Sequence, residues 1–353
     1  MTTPWYATRE AVKGELDVRE TARSNQRIDR ALADATEAVH GLTHRVFYPV
    51  LATRRFDWPP RTGATPWILR LNSNEVISVT RLASGSVEIP TGQYLLRRAD
   101  DLDQPPYSRI ELSLGTSASF GHGTTYQEDI AVTALFGYRD DETAAGTLAA
   151  PVASASASTV TVDGAASAAL GVGSLLRADD ERMIVTGRAQ VNTGQTLAAD
   201  LTVQNSAVTV TVQDGSQFAA GEAILIDGER MRVDDIAGNT LIVARAWDGS
   251  TIAAHSSGAA VWAPRSLKVA RGALGTTAAT HSGAAPVARW DAPGSVQQLC
   301  LAEALVDLMQ GRSAYARTAG AGENERETSG RSLKDLRDRV YVSHGRKARM
   351  RSV

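Results

Sequence analysis

Apolar residues recur every three or four positions across residues 21–46. Ile28, Leu32, Ala35, Val39, Leu42 and Val46 are spaced 4, 3, 4, 3 and 4 apart, with Arg27, Arg30, Asp34 and Glu37 off that line. This period sets the apolar side chains along one stripe and predicts an amphipathic helix from about Thr21 to Val46. A shorter helix precedes it, capped by Thr8, with Val12 and Leu16 four apart. From Phe47 the period changes: Pro49, Pro59, Pro60 and Pro66 end helical possibilities and open extended segments. Strands are predicted at Trp67–Leu71, Val76–Arg81, Ser86–Ile89, Tyr94–Arg98, Arg109–Leu114 and Asp129–Phe136, separated by turn signals at Gly85, Pro90-Thr91-Gly92 and Pro105-Pro106.

Helical spacing returns only near the far end. Pro293 and Ser295 suit a helix start, and two apolar groups follow: Leu299, Ala302, Val306 and Met309, then Leu301, Leu305 and Leu308. A helix apolar on two sides is expected to be sandwiched, and the long N-terminal helix is its natural partner. After a polar, Gly-rich break at 318–330, Leu333, Leu336 and Val340 predict one more short helix.

Between these ends the chain is rich in Ala, Val, Thr and Gly, and it repeats itself. Val160-Thr161-Val162, Gly173 and Glu181-Arg182-Met183 recur 48 residues later as Val208-Thr209-Val210, Gly221 and Glu229-Arg230-Met231. A second repeat has an offset of 26: Val243-Ala244-Arg245, Gly249-Ser250-Thr251 and His255-Ser256 match Val269-Ala270-Arg271, Gly275-Thr276-Thr277 and His281-Ser282. These read as two separate duplications of small β units with no shared polar constellation, which is the signature of scaffolding. The fold class expected is therefore α+β. A small helical bundle is formed by the N- and C-terminal helices, and antiparallel β modules, including the duplicated repeats, are inserted between them. The expected domains are 1–48 (N-terminal helices), 49–140 (β domain), 141–290 (repeat insertion) and 291–353 (C-terminal helices and basic tail).

Charge adds one feature to this picture. The whole chain carries −2. From Arg331 onward eight Lys/Arg stand against Asp335 and Asp338, a local +6, which leaves −8 on residues 1–330. Such a tail, with Arg346, Lys347, Arg349 and Arg351 at its end, suggests a partner of its own. Cys300 is the sole cysteine, so neither an intrachain disulfide nor a Cys-based zinc site can form, as befits folding in a reducing cytoplasm. No signal-type stretch opens the chain, and nowhere do about 18 apolar residues run together, so no membrane partner is expected.

Candidate chemistry is thin. Gly115-Thr116-Ser117-Ala118-Ser119 does not match a nucleophile elbow, and Gly171-Val172-Gly173-Ser174 lacks the Lys of a phosphate loop. His40 and His44 stand four apart but lack the Glu of a zincin motif. His255 and His281 occupy matching repeat positions, which favours a turn hydrogen bond. His122 lies in a loop with nothing to pair it. Asp140-Asp141-Glu142 and Asp179-Asp180-Glu181 lack EF-hand spacing and read as solvated turns. No catalytic, cofactor-binding or metal residues are expected, and the chain is not expected to be an enzyme.

Three segments carry a resemblance to a known family. Ile28–Tyr48 is similar to a helix that ends in an aromatic and leads into a strand. Asp129–Tyr138 is similar to a strand followed by Gly and an aromatic. Arg271-Gly272-Ala273-Leu274-Gly275-Thr276-Thr277-Ala278-Ala279-Thr280-His281 is similar to a turn-rich motif of phage structural proteins. Together they resemble the head-to-tail adaptor (connector) proteins of long-tailed, siphovirus-like bacteriophages, particularly those of actinobacterial hosts. The resemblance implies a virion protein at the head–tail junction, assembled in the host cytoplasm. It implies a homo-oligomeric ring of roughly twelve copies with heterologous contacts. The ring would sit on the portal protein and meet a tail-side connector or terminator protein, while DNA passes through its channel without sequence-specific binding. Ile28, Leu32, Val39 and Leu42, with Arg346, Lys347, Arg349 and Arg351, are the residues expected to touch other subunits or the portal. The competing expectation is a peripheral tail or baseplate protein whose β repeats bind glycans; it asks for exposed aromatic platforms, and the repeat region offers Trp247, Trp262, Trp290 and Phe218.

Overall fold

The Thr8 hydroxyl oxygen accepts the amide hydrogen of Ala11 at 3.2 Å, so the first helix, α1 (Arg9–Leu16), starts at the cap expected of it. The second helix, α2 (Ala22–Thr43), stops short of Val46. His44 there takes the left-handed conformation (φ 53°) that ends helices, and Phe47, Tyr48 and Pro49 are buried immediately after it. In this computed structural model the described residues are 3–16, 22–58, 65–98, 103–312, 318–319, 326–327 and 330–346. They are mixed α+β but mostly β, with about 37% strand in antiparallel sheets. The chain divides into two units: residues 1–39 with 142–343, and residues 40–141 with 344–353.

The smaller unit holds β1 (Val50–Phe56), β2 (Ile68–Arg70), β3 (Val76–Ser84), β4 (Val87–Ile89), β5 (Tyr94–Arg97), β6 (Arg109–Leu112) and β7 (Ile130–Phe136). They form a four-stranded sheet β1-β7-β3-β4 and a three-stranded sheet β2-β6-β5. Leu71, Val76, Leu82, Ile110, Ile130, Val132 and Phe136 fill the core between them. Strand β1 escaped the sequence reading because Arg54 and Arg55 interrupt it. Arg54 reaches the Asn74 side chain and lies 4.2 Å over the Phe136 ring, so its stem covers apolar surface while its charge stays hydrogen-bonded.

The larger unit contains β8 (Glu142–Thr147), β9 (Thr159–Thr161), α3 (Gly164–Ala169), β10 (Leu175–Ala178), β11 (Glu181–Thr196), β12 (Thr209–Thr211), β13 (Ala223–Ile226), β14 (Glu229–Ala237), β15 (Thr240–Ala244), β16 (Ala260–Ala270) and β17 (Pro286–Trp290). Ten strands make one sheet in the order β12-β15-β14-β13-β16-β11-β10-β17-β8, with β9 also pairing β16. This sheet is one module nested inside another. The outer module runs β9, β16, β11, β10, β17, β8, and the inner one repeats that order as β12, β15, β14, β13, β16, β11. Strands β11 and β16 are long because they serve both modules. In the inner module β14 and β15 pair up to Ala237↔Thr240 and close through Gly238-Asn239, with Gly238 at φ +61°. In the outer module the matching pair is Ala189↔Ser266, and there, in place of a two-residue turn, the chain leaves to build the inner module.

The nesting corrects two sequence readings. The offsets of 48 and 26 are the first and second halves of one duplication, seen from opposite sides of an insertion. In addition, Val160-Thr161-Val162 does not align with Val208-Thr209-Val210. Val162 bridges Leu148 and Val212 bridges Leu197, and Thr161 and Thr211 accept equivalent amide hydrogens from Ala149 and Ala198, so the structural offset at this strand is 50. A Thr-Val alternation reads the same after a slip of two because strand side chains alternate with period two. The two extra residues are recovered where six-residue α3 is matched by the three-residue turn Gly215–Gln217.

At the chain's other end lie α4 (Gly294–Arg312) and α5 (Gly330–His344). Helix α4 packs on α1, and its Cys300 sulfur lies 3.6 Å from the Thr36 hydroxyl of α2. Arg9 of α1 makes a bidentate pair with Asp29 of α2, and Arg337 of α5 does the same with Glu303 of α4. Neither apolar group expected on α4 is buried as a group. The enclosed stripe is Val296, Leu299, Cys300, Ala304 and Leu308, while Leu301 and Leu305 are half-buried and Met309 is 47% exposed. The helix is covered on one side rather than sandwiched.

Candidate functional site

The duplicated modules do share a polar constellation, and it lies on the strand-to-turn corner of each. In the outer module Glu181, the first residue of β11, is 1% exposed. Its two oxygens accept from Arg271 Nε and Nη2 (both 2.7 Å), Gly272 N (2.8 Å) and Ala279 N (3.0 Å), with His281 Nε2 at 2.9 Å. His281 Nδ1 faces Asp179 at 2.7 Å. The inner module repeats every contact. Glu229 accepts from Arg245 Nε (2.9 Å) and Nη2 (2.6 Å), Ala246 N (3.1 Å) and Ala253 N (2.9 Å), and His255 lies between Glu229 and Asp227 at 3.0 and 2.7 Å. Each arginine also donates to backbone carbonyls, Arg271 to Ser154, Ala157 and Ala279, and Arg245 to Thr202, Gln204 and Ala253.

Burial alone would raise the pKa of Glu181, but the donors from Arg271, Ala279, His281 and Gly272 outweigh it and hold the carboxyl at about 2. Glu229 is lowered by the same balance of burial against its donors. These are buried, fully paired ions on a turn that takes the left-handed conformation at two positions, Gly272 and Leu274 (φ 56° and 55°) or Ala246 and Asp248 (φ 54° and 52°). With both oxygens of each glutamate taken up by these donors, the cluster holds a strained turn in place. Of Asp179-Asp180-Glu181, the two aspartates are exposed, as expected of a solvated turn, and Glu181 is buried, while the histidines make the turn hydrogen bonds expected of them. The signal for the cluster was present, since Glu, Arg and His all recur, but the two offsets concealed that they meet.

The residues expected at a subunit or portal contact fare differently. Ile28, Leu32 and Val39 are 2%, 0% and 1% exposed, enclosed by this chain's own side chains, and Leu42 is half-buried. Arg346 is held within the smaller unit: its amide donates to the Thr43 carbonyl, and its guanidinium lies 3.2 Å from Glu75, which also pairs with Arg45 at 3.0 Å. Beside it, His344 accepts or donates at 3.1 Å to the Tyr138 hydroxyl and packs edge-on against Phe47 and Tyr138. Burial, then the charges of Arg45 and Arg139, lower the His344 pKa. Lys347, Arg349 and Arg351 lie outside the described residues.

The remaining candidates have structural partners. His40 packs against the Tyr48 ring and His44 sits past the helix end, so the pair does not share a helix face. His122 is not unpaired, since its Nε2 is 3.0 Å from the Ser119 hydroxyl on an exposed loop. Cys300 is buried, and burial raises its pKa. Glu142 pairs bidentately with Arg177. Of the aromatics in the repeats, Trp290 and Phe218 are 6% exposed, Trp247 is half-buried and Trp262 is 38% exposed. Among the described residues no three His, Cys, Asp or Glu side chains are grouped as a metal site, and no helix is long and apolar enough to cross a membrane.

No protein-family model, no characterised protein and no solved structure matches the chain at a significant level.

Proposed function

We propose that the chain is a structural virion protein, an adaptor subunit that joins copies of itself into a ring between a portal and a tail and continues the DNA channel. The observation that carries this reading is the meeting of the two chain ends. Thr36 of α2 touches Cys300 of α4, α1 packs on α4, and Glu303 of α4 is clamped by Arg337 of α5. These contacts bring helices from both ends of the chain together, and the nested β modules lie between them in sequence. The outward side of α4 supports self-contact: Leu301, Leu305 and Met309 are four residues apart and stay half-buried or exposed. In a ring these side chains supply the apolar part of a heterologous contact. The clusters described above support a scaffold role, since their charged groups are spent on holding turns.

The test is assembly. The purified chain, alone and mixed with the portal protein of the same virion, is weighed by native mass spectrometry and light scattering. A ring of about twelve copies, or a stoichiometric complex with the portal, is expected. A chain that stays monomeric at tens of micromolar in both samples refutes the proposal. A Met309→Glu, Leu305→Glu variant should lose the oligomer while keeping its circular dichroism spectrum.

A further inference from the structure

The nested duplication supplies an internal comparison. In the outer module the turn Gly171-Val172-Gly173, which precedes β10, is buried beneath the chain's own N-terminal arm. The Trp5 amide donates to the Gly173 carbonyl at 3.0 Å, the Arg9 amide to the Val172 carbonyl at 3.1 Å, and the Val172 amide to the Glu10 carboxylate at 2.7 Å. The Trp5 ring fills the space a side chain at position 173 would take, 2.3 Å from where its Cβ would stand. The outer module thus shows how this turn is covered: an indole seats on the second glycine, and five residues later a carboxylate caps the amide before it.

The inner module presents the same turn uncovered. Ala219-Ala220-Gly221 has the matching backbone, with Gly221 at φ +90° against +98° at Gly173, and both glycine amides donate to the matching strand, to Val233 and Val185. Here Ala220 and Gly221 are exposed. The nearest atom to a Cβ on Gly221 is Ala168 Cβ at 3.8 Å. The turn opens on a groove of about 780 Å³ whose walls include Ala223, Arg230, Arg232 and Trp247. Three of these positions differ from the outer module, Ala223 standing where Leu175 is. Arg232 stands where Ile184 is buried, and Trp247 stands where the other turn has Ala273; the Arg232 guanidinium lies 4.3 Å over the Trp247 ring. The outer module folds with Ile and Ala at these places, so the module's strands and turn do not require Arg and Trp there; Trp247 lies beside Gly14 of α1. The groove also holds Gln190, whose buried Oε1 has no hydrogen-bond partner among the described residues.

We infer that the inner module's open turn is a docking site for a segment of a partner protein that, like the chain's own arm, is non-helical at its aromatic residue and enters a helix at its carboxylate. That segment bears an aromatic ring followed about five residues later by a carboxylate, as the chain's own arm bears Trp5 and Glu10. The ring seats over Gly221 against Trp247, beside the Arg232 guanidinium stacked on that ring, and the carboxylate accepts the Ala220 amide; Arg230 and Arg232 keep their own partners, Asp248 at 3.3 Å and Asp234 at 2.7 Å. A donor side chain of the segment satisfies Gln190. The site does not rest on ring formation, and its test is independent of the oligomeric state.

The probe is an acetylated peptide of residues 3–16 of this chain, titrated into the full-length protein and followed by fluorescence polarisation and isothermal calorimetry. Saturable one-to-one binding is expected, weakened at least tenfold by Trp5→Ala or Glu10→Gln in the peptide. In the protein, Ala220→Trp blocks the exposed turn and Arg232→Glu reverses its charge; each should abolish or cut binding tenfold with the circular dichroism spectrum unchanged. Trp262→Ala, away from the groove, should bind as wild type does. No saturable binding to the wild-type chain overturns the inference. Undiminished binding to Ala220→Trp also overturns it, because the peptide would then have displaced the arm from the outer module. A response to a thymidine hexanucleotide in place of the peptide assigns the arginines to phosphate recognition and overturns it as well.

Discussion

Replacing Glu181 by Gln tests whether the buried cluster holds its module together. The glutamate is enclosed and receives Arg271, His281 and the amides of Gly272 and Ala279. Neutralising it leaves the Arg271 charge buried without its partner, and breaking a buried pair from one side costs ~3–5 kcal/mol. A second estimate comes from acid. The carboxyl lies at about 2 in the fold against an ordinary 4.5. At ~1.36 kcal/mol per unit that difference is worth ~3 kcal/mol of stability. The folded pKa is the depressed one, so this stability is fully present above the ordinary value and is lost as pH falls toward the folded one. The gap between wild type and Glu181→Gln should therefore be widest above about pH 5 and close toward pH 2.

The assay must be local, because a chain of two units need not unfold in one step. Hydrogen exchange at peptides containing Gly272 and Ala279 reads the opening of this turn directly. At pH 7 these amides should exchange at least a hundredfold faster in Glu181→Gln, while the peptides spanning Ala246 and Ala253 in the inner module change less. The parallel variant Glu229→Gln should reverse that pattern. Acceleration below tenfold at pH 7 would refute the reasoning, as would a gap that persists unchanged between pH 6 and pH 3.

Three further outcomes follow from the same structure. Gly173→Ala and Gly221→Ala meet similar backbone strain at φ +98° and +90°, but only the first collides with the Trp5 ring, so it should melt several degrees lower than the second. His344 has its pKa lowered by burial and by Arg45 and Arg139, so protonation favours its release. Stability of the smaller unit should fall as pH drops below about 6.5, and His344→Gln should flatten that slope in thermal melts taken between pH 7.5 and 5.5. Replacing Gln190–Arg265 by Gly-Asn joins Ala189 to Ser266 through the turn that already closes β14 and β15, and the shortened chain should keep exchange protection at Gly272 and Ala279; loss of that protection would show that the outer module needs the inner one.

What the sequence made legible were the elements whose periodicity decides them locally. The α2 stripe, the Thr8 cap and strand β7 follow from 3.6- and 2-residue patterns, and the structure has them within a few residues. Strand β1 was lost because its sequence carries two arginines, and the reason Arg54 is tolerated there, an aromatic ring and an amide 82 and 20 residues away, has no local trace. The buried clusters were lost for a different reason. Glu181 and Arg271 are 90 positions apart and Glu229 and Arg245 only 16, so one geometric unit has two different sequence spacings. An insertion at a hairpin turn stretches the outer copy and leaves the inner copy compact. Matching first halves then recur forward at 48 residues and matching second halves recur at 26 with the inner copy first. Two unequal periods flanking a common midpoint are what a self-insertion must produce, and they place the midpoint between β14 and β15 before any coordinate is known. Because the same nine contacts are rebuilt around both spacings, it is the geometry of the corner, and not its neighbours in sequence, that the Glu, Arg and His residues serve. Positions that differ between the copies, Trp247 and Arg232 above all, are free of that duty.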